Sequence, residues 1–255
     1  MAAKKQTKRT TKRTTKRATK RKQAKPKQLT FDDSRKPDGK HGGWRPGAGR
    51  PSGRTVVAHD TRDELASRHP NLVTWRLVAD LPSLRQARYA DIINAGIAAV
   101  HNAMFRITDF SIQTNHLHLV CEASAASWLG DGMVRLAGRI ANRLNRVMDR
   151  GGDLFEERYH ARALRTPREV KNALRYVINN ERHHAEERHF FYHPDWIDPF
   201  SSALWFDGWR RSIDMASVDP ALPARRVTAE PHTWLRRVGW RRWGVLDFDE
   251  IPGGE

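Results

Sequence analysis

Cysteine is almost absent. The single thiol in 255 residues, Cys121, excludes an intrachain disulfide, and a reducing compartment is the simple expectation. Long apolar runs are missing too. No stretch approaches the roughly 18–20 residues of a bilayer span, and the first residues lack the apolar core of a secretory signal. No membrane role is therefore expected. Acid is missing from residues 1–27, which hold 13 lysines and arginines. The net charge of +17 is mostly theirs, because the remainder sets 33 basic residues against 29 acidic ones. An Arg-rich, acid-poor start has the charge of an organelle transit peptide, but almost no apolar residues from which to build its amphipathic helix.

What is present falls into four parts. Residues 1–42 form a Lys/Arg/Thr-rich tail that repeats "TKRTTKRTTKRATKRK". It has too little apolar area to offset the entropy of ordering, so it reads as a disordered polycation. A like-charge run of this length fits a polyanion, with nucleic acid ahead of a merely solubilising tail. Residues 43–67 form a Gly/Pro/Arg linker. Its Gly49-Arg50-Pro51 is similar to the core of an AT-hook, which would send Arg50 into a minor groove. Ala48 stands where such a hook has a second arginine, and a plain flexible linker fits equally. Residues 68–190 have globular composition. Residues 191–255 form a basic, Trp/Arg-rich C-terminal extension.

The globular part reads as alternating elements. Strands fit His69–Leu81, Phe105–Gln113, His116–Ala123 and Phe155–Leu164 from β-branched and aromatic content between turn residues. Helices fit Ser83 to about Met104 and Trp128–Asp149. The second carries an apolar stripe of Leu129, Met133, Leu136, Ile140, Leu144 and Val147. Thr166-Pro167-Arg168-Glu169 is a capping box with proline at the first helical position, and the helix it opens runs to about His183. The order strand, helix, two strands, helix, strand, helix predicts an α+β, ferredoxin-like antiparallel sheet with helices on one face.

Two histidines interrupt the third strand. Strand alternation puts His116, His118 and Val120 on one face and Leu117, Leu119 and Cys121 on the other, core-facing side. His-x-His alone is weak, since 12 histidines produce it about 0.6 times by chance, so it needs context. The last predicted helix supplies context. Tyr176 and Asn180 stand one turn apart, about 40° around the axis, beside an apolar stripe of Val170, Ala173, Leu174, Val177 and Ile178. A phenol can act as a nucleophile, and an amide oxygen can complete a metal site. Tyr159, next to His160 on the fourth strand, competes as nucleophile if strand parity turns it toward the same face. Helix placement and the spacing to Asn180 favour Tyr176.

The segments "FSIQTNHLHLVCEA" and "FEERYHARALRTPREVKNALRYVINN" resemble the single-tyrosine HUH transposases, and among them the REP-associated tyrosine transposases. The histidine–hydrophobe–histidine motif falls on His116, Leu117 and His118, preceded by Asn115. The nucleophile helix, Tyr-hydrophobe-x-x-Asn, falls on Tyr176 and Asn180. The resemblance covers roughly residues 68–185. Where many relatives continue as Asn-Pro-Val-Arg-Ala, this chain has Asn180-Glu181-Arg182-His183-His184. The resemblance implies an HUH nuclease fold over residues 68–190 and a divalent ion, Mg²⁺ or Mn²⁺, held by His116, His118 and Asn180. It implies Tyr176 as nucleophile on single-stranded, hairpin-bearing, REP-like DNA, through a 5′-phosphotyrosine link. It further implies a bacterial cytoplasmic, nucleoid-associated setting, with monomer and homodimer both open. The alternatives are an inactive or domesticated DNA-binding protein of the same fold and, less favoured, an RNA-binding module.

Two surfaces read as DNA contacts. Arg135, Arg139, Arg143 and Arg146 line the second helix, as phosphate contacts or as an ordinary solvated face. "TWLRRVGWRRW" interleaves Trp234, Trp240 and Trp243 with arginines that include Arg241 and Arg242. It fits a single-strand platform or, slightly better, an amphipathic segment docking its tryptophans on the core.

Overall fold

The structure, a computed structural model, describes residues 65–215, 218 and 225–253. The basic tail and Arg50 lie outside them. Four strands form one antiparallel sheet: β1 (Asn71–Arg76), β2 (Phe105–Ile112), β3 (His116–Ala123) and β4 (His160–Ala163), in the order β2-β3-β1-β4. The helices are α1 (Ala87–Ala98), α2 (Ala126–Val147), α3 (Pro167–Ile178), α4 (Asn180–Glu187) and a short α5 (Trp234–Arg237), with 3₁₀ turns at Ala203–Trp205 and Gly239–Trp243. From β1 to β4 this is the ferredoxin-like βαββαβ arrangement. Among the described residues no helix is long and apolar enough to cross a membrane.

Strand parity divides the interior in two. Leu117, Leu119 and Cys121 of β3 join Val73 and Trp75 of β1 against α1 and α2, in one apolar core. Val120, on the opposite face, joins Leu164, the stripe of α3 and Trp240 in a second core. Helices α1 and α2 thus share one face as the sequence implies, while α3 and the C-terminal extension cover the other. That second cover places Tyr176 over the histidine face.

A β-bulge sets what β2 contributes. Ile107 pairs with Cys121 and Asp109 with Val120, so Thr108 is the extra residue. Phe105 and Ile107 before it, and Phe110 and Ile112 after it, all reach the α1–α2 core. Without the extra residue, alternation would drive Asp109 into that core. With it, Asp109 turns to the extension, where Arg236 holds both its oxygens at 2.7 and 2.8 Å. Backbone groups of the extension also close the outer edge of β2: Ile112 donates to Phe200 O (2.7 Å), Ser202 to Phe110 O (2.9 Å) and Ala229 to Ile107 O (2.9 Å). An edge strand is thereby paired within the chain.

Gly132 lets α2 pack closely on the sheet. A Cβ there would stand 2.4 Å from the buried ring of Phe105. Alanine normally gains about 1 kcal/mol over glycine inside a helix, but a ring held on all sides cannot yield, and overpacking costs about 1–3 kcal/mol. Gly132→Ala is therefore expected to lower stability, by up to about 2 kcal/mol. An unchanged or raised urea midpoint would show that the helix shifts freely.

Candidate active site

The site is assembled from β3, β1 and α3. Thr166 caps α3: its hydroxyl accepts from Glu169 N (3.2 Å), and the Glu169 carboxylate accepts from Thr166 N (2.9 Å). With Val170, Ala173, Leu174, Val177 and Ile178 buried against the sheet, the flank of α3 brings half-buried Tyr176 over β3. Its Oη lies 3.2 Å from His118 Nε2. The same Nε2 lies 2.9 Å from His116 Nε2. The two imidazoles share one face, as β3 parity requires.

Each ring is held from behind. His116 Nδ1 lies 2.9 Å from Asn115 Oδ1. An amide oxygen only accepts, so Nδ1 carries the proton and the Nε2 lone pair is bare. His118 Nδ1 lies 3.0 Å from Thr74 Oγ1, a residue that β1 places directly opposite His118. Burial first, then His184 and Arg76, lowers His116 from 6.5 to about 4. Burial first, then His116 and His184, lowers His118 to about 3. Both rings are neutral at pH 7, the form that binds metal. Burial raises the Tyr176 phenol above its ordinary value, so it carries its proton at rest.

These shifts predict a pH effect. Between about 4 and 6.5 the unfolded chain binds protons at these histidines that the folded chain refuses, so stability rises with pH across that window. Without added metal, the urea midpoint is expected to fall as pH drops from 7 toward 4. His118→Gln is expected to flatten part of that slope, and an equal slope in both proteins would refute the assignment.

Asn180 arrives differently from the expectation of a helix running to His183. The backbone leaves α3 at Asn179 (φ −103°, ψ 15°) and restarts as α4. The cause is tertiary: Asn179 Nδ2 donates to the carbonyls of Asp247 (3.2 Å) and Glu250 (2.8 Å). Asn179 N still reaches Arg175 O at 3.0 Å, so the turn between Tyr176 and Asn180 is kept. Asn180 is fully buried, and its Oδ1 finds no hydrogen-bond partner among the described residues. Its Nδ2 lies 3.5 Å from His184 Nε2. An orphaned buried carbonyl is costly unless something accepts its lone pairs. An amide oxygen and imidazole nitrogens are donor types that suit a divalent cation. No three His, Cys, Asp or Glu side chains gather as a metal cluster among the described residues.

The support of α4 was not legible in the sequence. Buried Arg182 donates to the carbonyls of His193 (2.8 Å), Pro194 (3.1 Å) and Trp196 (2.8 Å). Its neighbour Glu181 meets Arg85 at 3.4 Å and Arg188 at 2.6 Å, and Arg85 grips both oxygens of buried Asp198 (2.9 and 3.1 Å). Residues on both sides of Asn180 are thus tied to the extension and to the segment preceding α1. The run Glu181-Arg182 within "NNERHH" was the available signal, a charged pair directly after Asn180.

Other sequence candidates lie elsewhere. Tyr159 packs edge-on to Trp75 at 5.8 Å within the α1–α2 core. It lies on the side of the sheet away from His116 and His118 and is not brought to the site. Arg135, Arg139, Arg143 and Arg146 are exposed on α2, behind the sheet, and are not brought to the site. In the extension Trp240 is fully buried, as docking requires. Arg241 pairs with Asp207 at 2.7 Å, and the Arg242 guanidinium lies 4.9 Å from the centre of the Trp234 ring.

No protein-family model and no curated protein matches this sequence. Two solved structures are similar in fold. One is a REP-associated tyrosine transposase bound to a REP hairpin, at 15% identity and TM-score 0.46 over 68% of this chain and 95% of that one. The other is a Deinococcus radiodurans protein assigned as a transposase, at 16% identity and TM-score 0.31 over 46% of this chain and 87% of that one. Likenesses this distant carry no weight on activity, which rests on the side chains.

Proposed function

We propose that this protein is a metal-dependent, single-stranded DNA endonuclease and strand transferase of the tyrosine HUH type, acting on hairpin-bearing DNA. The observation that carries the reading is one cluster: Tyr176 Oη at 3.2 Å from His118 Nε2, and that nitrogen at 2.9 Å from His116 Nε2, with the orphaned carbonyl of Asn180 on the turn after Tyr176. His116, His118 and Asn180 would hold a Mg²⁺ or Mn²⁺ ion. When bound, the ion supplies Lewis-acid polarisation of the scissile phosphate.

The chain's own part is nucleophilic. Tyr176 Oη forms a bond to phosphorus while the bond from phosphorus to the 3′ oxygen breaks. The phenol gives up its proton, and the departing oxygen gains one, leaving a 5′-phosphotyrosine and a free 3′-OH. The ester keeps the phosphoryl group activated, so a second 3′-OH can attack it, release Tyr176 and join strands. An inactive DNA-binding relative would have no need to keep both histidines, the tyrosine and the amide together.

Incubation with Mn²⁺ and labelled single strands carrying hairpins tests the reading. An SDS-resistant, metal-dependent protein–DNA adduct is expected. No adduct across a broad sequence pool, with DNA binding intact, would leave the binding-only alternative.

A further inference from the structure

Buried tryptophans anchor the C-terminal extension, yet two of its rings are left outside. Trp234 is 49% exposed and Trp243 is 54% exposed, while Trp240 between them is fully buried. The outer rings are fixed rather than loose. A Cβ at Gly239 would stand 2.6 Å from the Trp234 ring, so that indole is seated against the backbone, with the Arg242 guanidinium 4.9 Å from its centre. Trp243 is tied to α3: Lys171 Nζ donates to its carbonyl at 2.8 Å, and the Arg168 guanidinium lies 5.4 Å from its ring centre. Docking the extension explains Trp240. It does not explain two exposed indoles, each with an arginine over it.

We propose that Trp234 and Trp243, with Arg168, Lys171 and Arg242, form a stacking platform for single-stranded DNA that feeds the strand to Tyr176. Aromatic faces stack bases of any identity, and the cations beside them hold phosphates. The side chains beside the two rings, Arg168, Lys171 and Arg242, are cations and fit a polyanion. The direction comes from α3. Arg168, Asn172 and Tyr176 follow at steps of four and stand in one row, about 12 Å from end to end along the axis. A strand lying over Trp243 and Arg168 is led along that row toward the phenol. The direction rests on the reading of Tyr176 as nucleophile; the binding does not.

Anisotropy of labelled oligonucleotides on the full chain, in salt high enough to screen the basic tail, tests the platform. Trp234→Ala/Trp243→Ala is expected to weaken binding of an unstructured DNA strand roughly 10- to 100-fold, with little change in the thermal transition because both rings are half exposed. The double Trp→Phe variant is expected to restore most of the affinity, and Arg168→Gln/Arg242→Gln to weaken binding without touching the indoles. Unchanged affinity in the alanine variant, an equal loss for duplex DNA, or tighter binding of RNA than of DNA would overturn the proposal. Adduct formation separates the two readings. A platform variant that binds weakly but forms adduct at saturating DNA supports the platform. A wild-type protein that forms no adduct, yet loses affinity on Trp→Ala, leaves the platform standing and removes the nuclease.

Discussion

Phenylalanine at Tyr176 is expected to abolish the covalent DNA adduct, a loss of about 10⁴-fold or more, because no other group takes over a missing nucleophile. The substitution is conservative in every other respect. The ring keeps its place on the flank of α3, beside the imidazole of His118 at 4.7 Å between centres. Only the hydroxyl and its one 3.2 Å contact to His118 Nε2 disappear, which costs about 1 kcal/mol or less in stability. Affinity for DNA and for Mn²⁺ is expected to remain, so chemistry separates from binding. Tyr159→Phe is the control. Its ring lies on the other side of the sheet against Trp75, and that variant is expected to form adduct normally. Adduct lost in Tyr159→Phe and kept in Tyr176→Phe would reverse the assignment.

The largest stability effect is expected at Arg236. Its guanidinium and the Asp109 carboxylate are each about 1% exposed and meet through two short hydrogen bonds, with Asp207 adding a contact at 3.3 Å. Burial works against the charged arginine, but Asp109 and then Asp207 outweigh it and hold the guanidinium above its already high ordinary value. Removing one partner of such a pair leaves an uncompensated buried charge and costs about 3–5 kcal/mol. Arg236→Met is therefore expected to lower the free energy of unfolding by that amount in urea titrations. Asp109→Leu/Arg236→Met is expected to recover most of it, since apolar replacement of a whole buried pair is often neutral. A double variant as unstable as the single one would show that Arg236 acts through packing. The pair also matters to the site, since it fastens α5 and hence Trp240 against α3, the helix that carries Tyr176.

The residues that were legible in the sequence are those fixed by local rules. Strand β3 was read with its true bounds, because its run from His116 to Ala123 carries no bulge and is preceded by the turn residues Thr114-Asn115. The start of α3 followed from the Thr166–Glu169 capping box, and the shared face of His116 and His118 from parity alone. The reading failed where distant contacts decide. Helix α3 stops at Asn179 because carbonyls some seventy residues onward take its side chain. Strand β4 was read from Phe155, but Phe155 lies outside the strand and stacks on Trp75 at 3.7 Å. Nothing in the Trp/Arg run set Arg236 apart from its neighbours, yet it is the buried partner of an aspartate turned toward it by a bulge at Thr108. Thr74, which holds the second imidazole, could not be placed without the register of β1 on β3.

The central claim is that Tyr176 is the atom donor to phosphorus. Its most direct test is mass spectrometry of a tryptic digest after the metal-dependent reaction with a hairpin-bearing single strand. A nucleotide-sized mass is predicted on the peptide Tyr176–Arg182, carried by the tyrosine through a phosphodiester. A modified peptide containing Tyr159 or any other residue instead, or no modified peptide from a protein that binds the strand and the metal, would contradict it.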